Sequence, residues 1–242
     1  MNRRITSSEI NEYLECEKWW VFITLMGVAG YFGAFTYSIR GGIFCNAQTA
    51  NFVLFAMALG NMQWKNAVYY FIPMSAYFLG AVISETVAKS IKRFNFIRWD
   101  TLFIFIEMVS VVFLGLLPEN APYQISQVVI NFICSMQYNT FRQAQGVPMA
   151  TTFCTNHLRQ VGIAFTMYKR HREPQYIHKM ICHLGMLTVF VIGGICSTVL
   201  CRHYRGKAIF AVLIPLSMVF LGLLYADLKK EKGNLNRVPR GH

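Results

Sequence analysis

A chain of 242 residues that is 55% hydrophobic and only 14% charged is too apolar for a soluble domain of this size. A net charge of +12 would point to nucleic acid in a soluble protein. Here the cations gather between apolar runs, so orientation in a bilayer is the better account and nucleic acid is not an expected partner. The seven cysteines show no CxxC and no metal-ligand spacing, so they read as free apolar residues, and no metal or cofactor is expected.

In chain order, Ser8 to Lys18 reads as a short interfacial helix with Ser8 as N-cap, running into an anchor at Trp19-Trp20. Glu9, Glu12, Glu15 and Glu17 interrupt any basic-then-apolar start, so a cleavable signal peptide is not expected. Six runs then approach the roughly 20 apolar residues that cross about 30 Å of hydrocarbon. They are Trp19–Tyr37, Ala67–Ala88, Trp99–Leu117, Tyr123–Phe141, Met180–Leu200 and Ala208–Ala226. The expectation is an all-α polytopic membrane protein: an interfacial segment (1–18), one membrane domain (19–226) and a basic cytoplasmic tail (227–242).

Orientation follows from the loops. Lys89, Lys92, Arg93 and Arg98 form one basic cluster, Lys169, Arg170, Arg172 and Lys179 a second, and Lys229, Lys230, Lys232, Arg237 and Arg240 a third. Placing all three in the cytoplasm puts both chain ends there, Arg3 and Arg4 included, and leaves the acidic Pro118-Glu119 connection outside. Arg202, Arg205 and Lys207 are the exception, falling outside. Three spans per half (about 19–117 and 123–226) is an odd number, so the halves are expected to lie upside down relative to one another, as inverted repeats.

Two polar, glycine-broken segments interrupt this pattern. The first is Arg40-Gly-Gly-Ile-Phe-Cys-Asn-Ala-Gln-Thr-Ala-Asn51, the second Gly146-Val-Pro-Met-Ala-Thr-Thr-Phe-Cys-Thr-Asn156. A shift of 105 residues lays Gly41 on Gly146, Asn51 on Asn156 and Leu79-Gly80 on Leu184-Gly185. Non-helical polar backbone at membrane depth survives only buried in protein or lining a cavity. If both segments crossed, the basic loops and the chain ends would no longer share a side. Re-entrant or broken half-helices fit better, the first dipping in from outside and the second from the cytoplasm. Their N-termini suit an anion or a polar uncharged solute.

The first segment resembles the first signature of the YoaK family of bacterial membrane proteins. Gln137-Tyr-Asn-Thr-Phe-Arg142, together with Ala150-Thr-Thr-Phe-Cys-Thr-Asn-His-Leu-Arg-Gln160, resembles its second. Family members often show Thr-Gly-Asn where this chain has Thr49-Ala50-Asn51, and many carry an acidic residue near the position of Gly33. The resemblance implies a six-span protein of the bacterial inner membrane and implies no activity.

Several residues are candidates for a site. Asn51 and Asn156 are mates under the 105-residue shift and are expected to line one central polar site or to cap their half-helices. Gln48, Thr49, Thr155, Gln137 and Asn139 share that expectation. Arg159 is a candidate anion clamp or a partner for Glu107, with snorkelling to the interface as the alternative; the same alternatives hold for His157. Glu107, in mid-span, costs about 2.5–3.5 kcal/mol on insertion scales, so it reads as a proton or cation site or as a structural hydrogen bond.

No HExxH, GxSxG, P-loop or paired aspartate cluster is present, so no catalytic residue and no enzyme is expected. The expected function is a small-solute transporter or channel with a central polar site between the two half-helices. The alternative is a non-transporting scaffold or sensor that binds a partner protein through Lys169 to Lys179. The expected partners are the lipid bilayer and a small polar solute, and a homo-oligomer remains open.

Overall fold

The computed structural model describes residues 13–91 and 97–240. Ser8, Arg3, Arg4, Lys92 and Arg93, on which part of the reading above rests, lie outside the described residues. Helices occupy the positions of all six apolar runs: α1 (Trp19–Ile39), α3 (Trp64–Ile91), α4 (Trp99–Leu116), α5 (Tyr123–Thr140), α7 (Pro174–Tyr204) and α8 (Leu213–Tyr225). Two shorter helices, α2 (Gln48–Gly60) and α6 (Thr155–His171), follow the two polar segments. A two-residue hairpin, β1 (Gln143–Ala144) with β2 (Val147–Pro148), precedes the second of them.

Among the described residues, four helical stretches are long and apolar enough to cross a membrane: Trp19–Ile39, Trp64–Val87, Trp99–Leu116 and Pro174–Lys230. The last contains two helices, α7 and α8. Helix α7 runs alongside α1 in the same direction, with Trp19 against His178 and Gly30 against Phe190. Helix α8 runs back, with Gly206 beside Arg40 and Gly222 beside Trp20. The reversal falls at Arg205, whose φ of +45° ends α7, and a 3-10 stretch (Arg205–Val212) leads into α8. Helix α5 is less apolar because its buried face carries Gln127, Asn131, Ser135 and Gln137.

The distribution of side chains is the reverse of a soluble protein. Phe78, Leu116, Ile214 and Leu221 are each more than 60% exposed, while Thr36, Asn51, Glu107, Gln127 and His157 are sealed inside. Large exposed apolar surface of this kind marks contact with lipid rather than water. The chain is a membrane protein built from packed helices.

Packing follows a paired scheme. Helix α1 packs on α7 and α5 on α3; α2 packs on α3 and α6 on α7; α1 meets α8 and α5 meets α4. Glycines set the closest approaches. A Cβ on Gly193 would lie 2.0 Å from the Gly27 carbonyl oxygen, and one on Gly80 would lie 2.5 Å from that of Phe132. Small residues that let backbones touch are the usual currency of helix association in lipid. Helices α1 and α5 run antiparallel: Phe22 meets Phe141, Gln137 donates to the Leu25 carbonyl, and Gln127 donates to that of Arg40.

Where a helix through Lys18 is expected, the described residues form only a single 3-10 turn, Glu15–Glu17. Its side chains take over backbone groups: the Leu14 N–H donates to Glu17 (2.8 Å) and the Glu15 N–H to Glu231 (2.7 Å). The C-terminal stretch is docked rather than free. Buried Asp227 accepts from the Arg98 N–H (3.0 Å) and from Thr101 (2.7 Å), and the Arg98 guanidinium reaches Asp100 and the Arg237 carbonyl, each at 3.1 Å.

Candidate functional site

Each polar segment leaves one end of the helix bundle, reaches its middle and returns. Gly41 sits beside Tyr69 and Gln127 at the Arg40 end. Five residues later, Asn46 packs on Gly33 and donates to the Ala29 carbonyl (3.0 Å), halfway along α1. Helix α2 then begins at Gln48, whose amide donates to Asn131 (2.7 Å), and runs back to the start of α3. The second segment starts at the opposite end, where the Gln145 N–H donates to the Glu17 carbonyl (2.8 Å). It reaches the middle at Thr151, whose carbonyl accepts from Gln137 (3.1 Å), and α6 carries the chain back.

The turn into each segment needs a left-handed backbone. Gly41 and Gly146 adopt φ values of +84° and +85°, a conformation that only glycine enters at little cost. The two segments then face one another across a cavity of about 810 Å³. Asn46, Ala47, Gln48 and Thr49 wall one side, Thr152, Phe153, Cys154 and Thr155 the other. Helices α1 and α7 complete it with Gly30, Gly33, Tyr37, Phe190 and Gly194, and α3 with Tyr77. Every lining side chain is uncharged. Neither α2 nor α6 has a side-chain cap, so both half-helices begin with open N–H groups at this cavity.

Of the residues the sequence nominates, Gln48, Thr49 and Thr155 line the cavity. Asn51 is buried behind it, where its amide holds the Phe44 carbonyl (2.7 Å) and fixes the loop before α2. Gln137 is buried as well, donating to Leu25 and Thr151. Asn156 and Asn139 face a second cavity of about 600 Å³, shared with Arg142, Tyr138 and Phe153. Asn51 and Asn156 therefore do not share one pocket. Arg159 lies on the surface and donates to Asn156 (3.0 Å), away from Glu107. Glu107 is fully buried in α4, and neither carboxyl oxygen has a hydrogen-bond partner.

Four residues at this site escape a reading based on the half-helices alone. Asn46 and Thr152 belong to the turns before the helices, and Thr152 keeps a buried hydroxyl without a hydrogen bond of full geometry. Phe153 forms a wall of both cavities and packs on Tyr138 at 4.8 Å between ring centroids. His183 is the fourth: its Nδ1 lies 2.9 Å from Nδ1 of His157, both rings being buried. His157 Nε2 must donate to the Ala150 carbonyl (2.7 Å), so with a neutral ring its Nδ1 accepts from His183. This pair ties the second segment to α7. The signal available in the sequence was the motif itself, which contains Asn46 two residues and Thr152 three residues ahead of the helix that follows.

The chain belongs to a family whose members are described as "Protein of unknown function (DUF1275)"; the family model matches residues 21–222. No curated protein and no solved structure matches it.

Proposed function

We propose that this protein is a small-solute transporter or channel of the bacterial inner membrane, of the YoaK kind, rather than an enzyme. In this reading α1, α3 and α4 form one three-span repeat and α5, α7 and α8 its inverted mate, giving six crossings with both chain ends in the cytoplasm. The paired packing scheme, the antiparallel course of α1 and α5, and the 105-residue spacing of Gly41 and Gly146 all support the inversion.

The observation that carries the proposal is the convergence of the two segments. Each enters from a different end of the bundle, and both stop at one uncharged, largely apolar cavity with polar groups at the two helix starts. Broken helices that meet at mid-depth around a site are the recurring solution for moving a solute between two faces. Phe153, standing between the central cavity and the one lined by Asn139 and Arg142, serves as the inner gate.

The test is uptake of a panel of labelled small solutes into vesicles reconstituted with purified protein. Saturable uptake above that of protein-free vesicles is expected for at least one solute. A folded protein that moves none of a broad panel of sugars, amides, heterocycles and ions would overturn the reading.

A further inference from the structure

Resting on the reading of the central cavity as the solute site, we infer that its ligand is an uncharged, planar, carbonyl-bearing solute of the cyclic amide class, and not an ion. The first argument is charge. No Asp, Glu, Lys or Arg lines the cavity. The two half-helix N-termini supply partial positive charge only, roughly half an elementary charge each. A full anion would sit largely uncompensated among aromatic rings, and a cation would be opposed by both helix ends.

The second argument is hydrogen bonding. The open N–H groups at Gln48, Thr49 and Thr155 are donors that suit carbonyl oxygens. Acceptors are present too. The Asn46 amide nitrogen is committed to the Ala29 carbonyl, which leaves its oxygen for a ligand N–H. Thr152 is fully buried on the cavity wall beside Tyr77, and its hydroxyl makes no hydrogen bond of full geometry there. A buried polar group left unmatched is unfavourable, so a ligand that fills it gains specificity. Donors and acceptors on facing walls match a group carrying both C=O and N–H.

The third argument is shape. Tyr37 and Phe44 stack at 4.5 Å with an interplanar angle of 18°, and both rings line the cavity. Tyr77, Phe153 and Phe190 add three more rings to the lining. Aromatic walls accept a flat ring better than a branched polyol.

The experiment is calorimetric titration of the protein in lipid nanodiscs with uracil, hypoxanthine and hydantoin, against sodium nitrate, sodium formate and glycerol. At least one of the three rings binds saturably, and nitrate, formate and glycerol do not. Thr152→Val lowers the ring affinity tenfold or more with an unchanged unfolding temperature, because valine keeps the shape and the lost hydroxyl has no fully formed hydrogen bond within the protein. Thr155→Val, on the cavity face of α6, serves as the second variant. Binding of nitrate, formate or glycerol in place of the rings overturns the inference, as does a panel in which no ring binds. Ring affinity unchanged in both variants also overturns it. Vesicle flux keeps the two readings apart: ring binding without flux removes transport and leaves the ligand class standing. Anion flux without ring binding does the reverse.

Discussion

The two polar segments enter the bundle with almost the same glycine geometry and are then held by different chemistry. The first is locked by carboxamides: Asn51 on the Phe44 carbonyl, Gln48 on Asn131, and Asn46 on Ala29. The second is held by Gln137 on the Thr151 carbonyl, His157 on the Ala150 carbonyl and the pair His157–His183, with its polar side chains Thr155, Asn156 and Arg159 turned outward or into cavities. Buried Asn51 and Asn46 fix the first segment from within, whereas Thr155 and Arg159 at the start of α6 are exposed. In the proposed transport reading, the first segment serves as the fixed wall and the second, with Phe153 between two cavities, as the part that moves.

The hardest way to break this comparison is to remove the helix contact on which both segments lean. In Gly193→Leu the new side chain would run into the Gly27 backbone, which has no way to yield. Loss of the monodisperse folded protein on size-exclusion chromatography is expected. Gly185→Leu, at the position equivalent to Gly80, meets nothing within 4 Å and keeps it.

Phe153→Ala acts on the second segment alone. It joins the central cavity to the one beside Arg142. The expected outcome is a several-fold rise in passive solute leak from loaded vesicles, with little change in unfolding temperature. An equivalent opening is not expected from changes in the first segment.

The two asparagines sharpen the contrast at smaller amplitude. Asn51→Leu orphans the Phe44 carbonyl and is expected to cost about 1–3 kcal/mol of stability, read as a lowered denaturant midpoint. Asn156→Leu removes only a partly exposed contact with Arg159 and is expected within about 0.5 kcal/mol of the parent. Equal effects at the two positions would remove the distinction between wall and moving part.

The smallest effect is a pH response away from both segments, where the Glu15–Glu17 turn meets the chain's C-terminal stretch. Burial raises the Glu15 carboxyl, but hydrogen bonds from Lys18 and Trp20 outweigh it and hold the group below its ordinary value. A lowered carboxyl contributes stability that is present above the unfolded value and lost as pH falls through the folded one. Glu231 is shifted the other way, chiefly by burial, so its contribution is present at low pH and fades as pH rises through its raised value. As pH falls, Glu231 adds stability above about pH 4.5 and Glu15 loses it below, so the unfolding temperature is expected to pass through a maximum near that pH. Glu231→Gln removes the rise on the alkaline side and leaves the acid fall unchanged.

Most of the helices were legible because hydrophobic run length is a strong signal in lipid: each of the six apolar runs coincides with a helix. The turn at Glu15–Glu17 was not, because its Glu15 N–H donates to the Glu231 carboxylate and its Glu17 carboxylate accepts from the Arg240 N–H, both more than 200 residues away. At the site, the motif positions were legible but the division of labour was not. Asn51 and Asn156 are equivalent in sequence, yet the loop before α2 turns one inward onto Phe44 while Arg159 draws the other outward. Thr152 and Asn46 escaped notice because their roles come from the turn that presents them, and such turns depend on what the opposite segment leaves open.

The central claim is that solute passes through the cavity between the two segments, and plugging that cavity tests it most directly. A Cβ at Gly194 meets only the Gly30 carbonyl at 3.7 Å and the Ala34 Cβ at 3.9 Å, both ordinary contacts. Gly194→Leu therefore adds a side chain at the cavity lining with no clash at its Cβ. Vesicle flux of the transported solute is expected to disappear in this variant while elution profile and unfolding temperature match the parent. Undiminished flux through a folded Gly194→Leu protein would contradict the account.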